Sequence, residues 1–420
     1  MKKPEELKQT KRLFLNVLAP IHIGTREGVL RPMDYIIHDK HVYIVDENKL
    51  GEYLLERGLL PRLLDTLEHG PLNLAKFLKE AGASPGELAP RLARLAIPGG
   101  DSTMQEFRPL IRDGQGLVYL PGTAIKGVIR TAILYKLMRQ ASLVERVKKR
   151  IEDDAPCQGK GKEKRQKTVY YSDALLQKQV LQNFTLPPKD IGRDPTTDIL
   201  RCLTVRDAYP VDPKKIYTGI IPIDFLSKRG NGSFYFSAKK GGAGRLRLWL
   251  EAILMGTFVL ELIWNNELFG QFQKHNAKPL PVQSLEDVLA AVQEMNQDVM
   301  RHEISHYTIA KKTPASGSLK DALKDDIHDQ ANPATHACLA LKEFYESKKQ
   351  QYFRLGFGSG MISTTVNLHL PPEFRQKIRD NCGSGPRPGD PAPKSRRIWL
   401  QESKGKAYPL GWLQLLPREK

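Results

Sequence analysis

Four runs in the second half of the chain, CLTVRDAY (202–209), IYTGIIPIDF (216–225), SFYFSA (233–238) and TFVLELIW (257–264), are crowded with β-branched and aromatic side chains. Short segments of that make-up fit a pleated surface and read as strands. Helical periodicity falls between and after them, over 245–255, 284–307 and 337–348. The spacers between elements are too long for a tight, doubly wound parallel sheet, so the pattern predicts an α+β fold.

The first half follows the same plan. RLFLNVL (12–18) alternates like a half-buried strand and runs into the turn APIHIG (19–24). Extended runs at 35–37 and 41–45 precede a leucine-rich helical insertion over about 48–95, broken at Pro61, Pro71 and Pro85. FRPLI (107–111) and VYL (118–120) lead through Pro121 and Gly122 into a helix predicted over 124–151, with Thr123 as its N-cap. CQGKGKEKRQK (157–167) has five basic residues against one acid and reads as a solvated loop. It predicts a division into an N-terminal domain, 1–156, a basic linker, 157–170, and a C-terminal domain, 171–420. Near the end, a Gly/Pro linker (382–394) separates YFRLGFGSG (352–360) from the strand-like RIWL and GWLQLL.

Charge points to the partner. The chain has 420 residues, with 65 Lys and Arg against 47 Asp and Glu, for a net charge of +18. That excess favours a polyanion. With 40% apolar residues there is material for one or two hydrophobic cores, which excludes global disorder. Cys157, Cys202, Cys338 and Cys382 form no CxxC pair and suggest neither a zinc knuckle nor a disulfide framework. The most apolar window, 248–264, contains Glu251 and Glu261 and falls short of the ~20 residues of a membrane span. No secretory signal is evident, and the expectation is a cytoplasmic protein without a membrane partner.

Three segments are candidate anion sites. In YLPGTAIKGVIRTAIL (119–134) a Pro-Gly turn opens a helix, with Lys126 and Arg130 one turn apart. Free N–H groups there plus two cations suit a phosphate, although the spacing is not that of a nucleotide-hydrolysing P-loop, and an ordinary capped helix is the competing reading. In LGFGSGMISTTV (355–366), Gly356, Gly358 and Gly360 can bring backbone close to a ligand. Arg354 supplies charge there, Phe357 a stacking face, and Ser359 and Thr364 hydroxyls. Lys239, Lys240, Arg245 and Arg247 surround further glycines, as a basic nest for a sugar-phosphate backbone or as a solvated hairpin loop.

Two patterns suggest enzymes. His302, Glu303 and His306 match HExxH, but no third-ligand signature follows, so a solvated helix end is expected rather than a zinc hydrolase. Asp34 and the aspartates at 153 and 154 lie near basic residues, yet their spacing does not gather the carboxylates that a metal-assisted nuclease needs.

LNVLAPIHIGTREG, DYIIHDKHVYIVDENKL, PGTAIKGVIRTAIL, RCLTVRDAY, LGFGSGMISTTV and PLGWLQL, in that order, resemble the RAMP proteins of type III CRISPR systems. The order is most similar to that of the Csm subunit that caps the guide-RNA 3′ end in type III-A complexes. The resemblance implies two ferredoxin-like, RRM-related domains with helical insertions and a non-catalytic role. Its implied partners are CRISPR RNA at its 3′ region, the other Csm subunits, the backbone RAMP subunit above all, and cellular nucleases that trim the guide. It places RNA contacts at the glycine loop, at the Pro121 to Lys126 helix start and at His22, in the turn after the first strand. The same superfamily leaves an RNA-processing endonuclease acting through His22 or Asp34 as the rival. Neither metal nor nucleotide cofactor is needed to grip a single strand by phosphate and base contacts.

Overall fold

Alternating burial of Leu13, Leu15 and Val17 makes Lys8–Val17 a strand, β1, and it becomes the middle of the main sheet. The structure, a computed structural model, describes residues 7–25, 28–153, 176–187, 195–238, 244–308, 332–347, 352–382 and 389–416. On one side β1 pairs with β14 (Trp412–Leu416), which pairs with β11 (Tyr352–Arg354). On its other side β1 pairs with β10 (Thr257–Asn265), whose far edge carries β5 (Leu203–Val205) and β6 (Tyr209–Pro210). Every one of these pairings is antiparallel.

Helix α5 (Gly122–Leu137) lies between β1 and β5 in the chain, and α8 (Leu285–Tyr307) between β10 and β14. The order β14–β1–β10–β5 with these two helices is the β-α-β-β-α-β arrangement of a ferredoxin-like layer. α5 and α8 pack together, and their Ile125, Ile129, Val292 and Val299 share the main core with Leu13, Leu15 and Leu260. The sheet's hydrogen bonding crosses the expected linker: β1 lies before 157, and both of its partners lie after 170.

A second antiparallel sheet runs β13 (Lys406–Pro409), β12 (Ser395–Gln401), β7 (Tyr217–Lys228), β8 (Phe234–Phe236), with β9 (Arg247–Met255) also on β7. β9 corrects the helix expected over 245–255. Leu248, Leu250 and Ala252 point to one side of the sheet, Trp249, Glu251 and Ile253 to the other, and both sides are covered. A strand buried on both faces loses its period of two, and a short apolar run then looks as helical as it does extended.

The insertion after β2 (Tyr35–His38) and β3 (His41–Val45) is helical, as its leucines predict: α1 (Glu47–Glu56), α2 (Leu60–Glu68), α3 (Leu74–Glu80) and α4 (Pro85–Leu92). It returns through β4 (Ala93–Pro98), which closes a three-stranded sheet with β3 and had no distinct signal in the sequence. The helix expected over 124–151 is two helices, α5 and α6 (Ala141–Asp153). α7 (Asn266–His275), α9 (Pro333–Glu346), the short α10 (Gly360–Thr364) and α11 (Pro372–Cys382) complete the described helices.

Candidate nucleic-acid interface

The glycine loop after β11 is held by two other turns. Phe357 N–H donates to His22 O (2.8 Å), Leu355 N–H to Gly411 O (2.8 Å), and Gly411 N–H to Pro20 O (2.8 Å). Gly356 has φ +86°, and a Cβ there would lie 2.5 Å from His22 O. Gly358 has φ +83° and meets Leu410 in the same way, whereas Gly360, at φ +70°, faces open space. Two of the three glycines therefore serve chain-to-chain packing, and only Gly360 leaves room for something else.

Arg354 and Ser359 turn inward, contrary to the expectation that they contact RNA. Arg354 is 3% exposed. Its Nε donates to Leu410 O (3.2 Å), Nη1 to Ser363 Oγ (2.9 Å) and Nη2 to Gly358 O (3.3 Å), with the guanidinium over the Trp412 ring. Ser359 Oγ donates to Gly356 O (2.7 Å). Both side chains clamp the loop from within.

His22 is buried as well, and Nδ1 donates to Glu251 O (2.7 Å). Burial holds its pKa below the usual imidazole value, so the ring is neutral near pH 7. Asp34, its rival partner in catalysis, accepts Arg31 N–H (2.7 Å) at the head of the small sheet. The two belong to different neighbourhoods and form no acid-base pair.

The helix start is also satisfied internally. α5 begins at Gly122 with Pro121, not Thr123, as N-cap, and Gly122 N–H donates to Asp207 Oδ1 (2.6 Å). A carboxylate of the chain itself thus occupies the anion position at this N-terminus. Lys126 Nζ donates to Leu203 O (2.7 Å), and burial pulls its pKa down. Arg130 pairs with the buried Asp198 (2.8 Å). Both expected phosphate ligands tie α5 to the segment entering β5.

Lys239 and Lys240 lie outside the described residues, as does 157–167. Arg245 stacks on Phe236 (4.0 Å) and pairs with Glu402, while Arg247 pairs with Asp224 (2.9 Å). These two arginines line a cleft with Glu106, Phe107 and Arg108, but their charge is already answered.

HExxH is structural. The Glu303 carboxylate, fully buried, accepts Arg396 Nε at 3.0 and 2.9 Å. Burial would raise its pKa, but the paired guanidinium outweighs burial and holds it below the usual carboxylate range. Burial keeps His302 at about 4 and His306 at about 2. A glutamate consumed by an arginine cannot serve as the general base of a metallohydrolase. No cluster of three or more metal-ligating side chains occurs among the described residues.

Two arginines escaped the sequence reading. Arg108, exposed, places its Cζ 5.6 Å from the Phe357 ring centre, and Arg397, half-buried on β12, places its own at 5.1 Å. Arg397 also lies 5.4 Å from the Phe225 ring. Neither guanidinium has a carboxylate partner among the described residues, and Arg397 Nε is buried without a hydrogen bond. Burial and then Arg108 lower the pKa of Arg397. Glu251, fully buried, accepts Leu110 N–H (2.9 Å) and both terminal nitrogens of Arg112, fixing the segment that carries Arg108. The available signal was the Arg396-Arg397 pair in a strand: a period of two sends one inward to Glu303 and the other to the opposite face.

Residues 14–303 match the RAMP superfamily, and the chain belongs to that superfamily. Among its relatives is the CRISPR protein Csm5 of Streptococcus thermophilus, 30% identical over 139 residues, which cover 30% of this chain and 38% of that one. The match thus spans well under two thirds of the relative. Two solved structures share the fold over almost the whole chain. A chain of a Csm–crRNA–target RNA ternary complex from a type III-A system has a TM-score of 0.60 at 23% identity, covering 97% of this chain and 100% of that one. Csm5 of T. onnurineus has a TM-score of 0.57 at 20% identity, covering 96% and 99%. Among the described residues no helix is long and apolar enough to cross a membrane.

Proposed function

We propose that the chain is a non-catalytic, RNA-binding subunit of a type III-A CRISPR ribonucleoprotein, which holds the 3′ region of the CRISPR RNA, caps the effector filament there and abuts the repeated backbone subunit. The observation that carries the reading is the likeness over almost the full length to a chain found within a Csm–crRNA–target RNA complex. Superfamily membership and the +18 charge agree with it. Capping needs a surface that accepts one neighbour without offering the same interface again. The absence of a catalytic role is supported by the internal use of His22, Asp34 and Glu303.

Co-expression with a CRISPR array and the remaining Csm subunits tests it. The protein is expected to co-purify with guide RNA and backbone subunit and to crosslink near the guide 3′ end. Recovery free of both overturns the reading. Purified protein is expected to leave repeat RNA intact with or without Mg²⁺, and cleavage lost in both His22→Ala and Asp34→Ala would restore the endonuclease.

A further inference from the structure

Most cations of the expected sites are paired within the fold: Arg130 with Asp198, Arg245 with Glu402, Arg247 with Asp224, and Arg396 with Glu303. An arginine beside its own carboxylate presents little net field to a second anion. Arg108 and Arg397 differ. They come from opposite ends of the chain to the same phenyl ring, with no acid between them, and each disfavours the other's charge. Like charges held together without a counter-ion are costly, and a bound anion relieves that cost.

The geometry is suited to such an anion. A guanidinium packed on an aromatic face uses its π surface and keeps its N–H edge free for a bidentate contact with phosphate. Phe357 is fixed from below by the edge of the His22 ring (5.9 Å) and by its own N–H bond to His22 O. Arg108 is fixed by a backbone bond to Trp249 O (3.0 Å) and by the Glu251 knot that follows it. Arg397 is carried by β12 in register with Phe225. The cations are thus preorganised on three different parts of the fold.

Resting on the reading that the chain binds single-stranded RNA, we infer that Arg108 and Arg397 jointly grip one backbone phosphodiester of that RNA beside Phe357, whose ring also offers a face to the adjoining base. The glycine loop then contributes chiefly by positioning Phe357, while Arg354, the cation nearest to it in sequence, holds the loop's shape.

Fluorescence anisotropy of the full chain with a short labelled oligouridylate, across a salt series, tests this. Arg108→Ala is expected to fold as wild type because its side chain is exposed, and to weaken binding about tenfold. With Arg397→Ala added, the log-log salt slope should become shallower by roughly 1.4, at about 0.7 per lost phosphate contact. Arg397→Lys, keeping the charge, should restore most of its share of the slope, which a merely structural role would not do. Inorganic phosphate at matched ionic strength should displace little RNA, and full displacement would mark an isolated anion pocket and overturn the assignment to a backbone. A double variant with wild-type affinity and slope overturns the site while leaving RNA binding intact. A wild-type protein that retains no single-stranded RNA overturns both.

Discussion

Gly356 and Gly360 share a left-handed backbone, yet they are separable by what surrounds them. Gly356→Ala adds a Cβ against the carbonyl of His22 in addition to the left-handed penalty, whereas Gly360→Ala meets only the latter, about 1–2 kcal/mol. Chemical denaturation should rank Gly356→Ala clearly the less stable, and equal losses would mean that the loop can relax away from His22. The buried Glu303–Arg396 pair makes a second residue-scale prediction. Glu303→Gln strands a buried guanidinium and should cost about 3–5 kcal/mol at pH 7. Acid acts through the same neighbourhood. His302 and His306 have folded pKa values of about 4 and about 2, below the unfolded 6.5, so the unfolded chain binds their protons first. Stability should therefore be full above about pH 6.5 and fall as the pH drops towards 4, by up to about 1.4 kcal/mol per unit for each histidine. Urea titrations at pH 7 and 5 check the sign, and His302→Gln should flatten the dependence. None of these partnerships was legible in the sequence, because the deciding group is far away in the chain: Asp198 for Arg130, Arg396 for Glu303, Leu410 for Arg354. Residue types told which side chains can hold a phosphate, and only the fold tells which are free to.

Among the elements, α5 shows how a correct helix start can carry an incorrect ligand. Its Pro-Gly opening was readable, but the anion at its N-terminus is Asp207, from the segment between β5 and β6. Gly122 is required there, since a Cβ would lie 2.4 Å from Val205 O. Asp207→Ala removes both a cap and a favourable charge and should lower stability by about 1–2 kcal/mol, with a smaller loss for Asp207→Asn at low salt. If Asp207→Ala instead raises RNA affinity strongly at unchanged stability, the N-terminus of α5 is a phosphate site after all. β9 and β4 mark the limit on the sequence side. Strands open to water on one face, such as β1, announce themselves by alternation. β9, buried on both faces, does not, and β4 is recognisable only from its pairing with β3.

For the whole molecule, the sheet order decides what can be separated from what. β1 has one neighbour in β10 and the other in β14, so residues 1–156 taken alone would keep the central strand and lose both of its ladders. Expressed as two chains, 1–156 and 171–420 are expected to be recovered only as a folded pair, each insoluble or unfolded alone. Independent folding of either piece, seen by dispersed amide resonances, would show that the division suggested by the basic linker is a true domain boundary. The α+β class, the helical insertion and most strands were visible beforehand, because local periodicity carries them; the interleaving was not, because nothing in a single strand states its partner. It also sets a clock for synthesis. β1 leaves the ribosome almost 400 residues before β14, which at 5–20 residues per second is roughly 20–80 s with a central strand bare along both edges. Unpaired edges recruit other chains. Slowing translation between β10 and β14 should therefore increase aggregation of the nascent protein, and the fold acquires its most vulnerable moment long before it has bound any RNA.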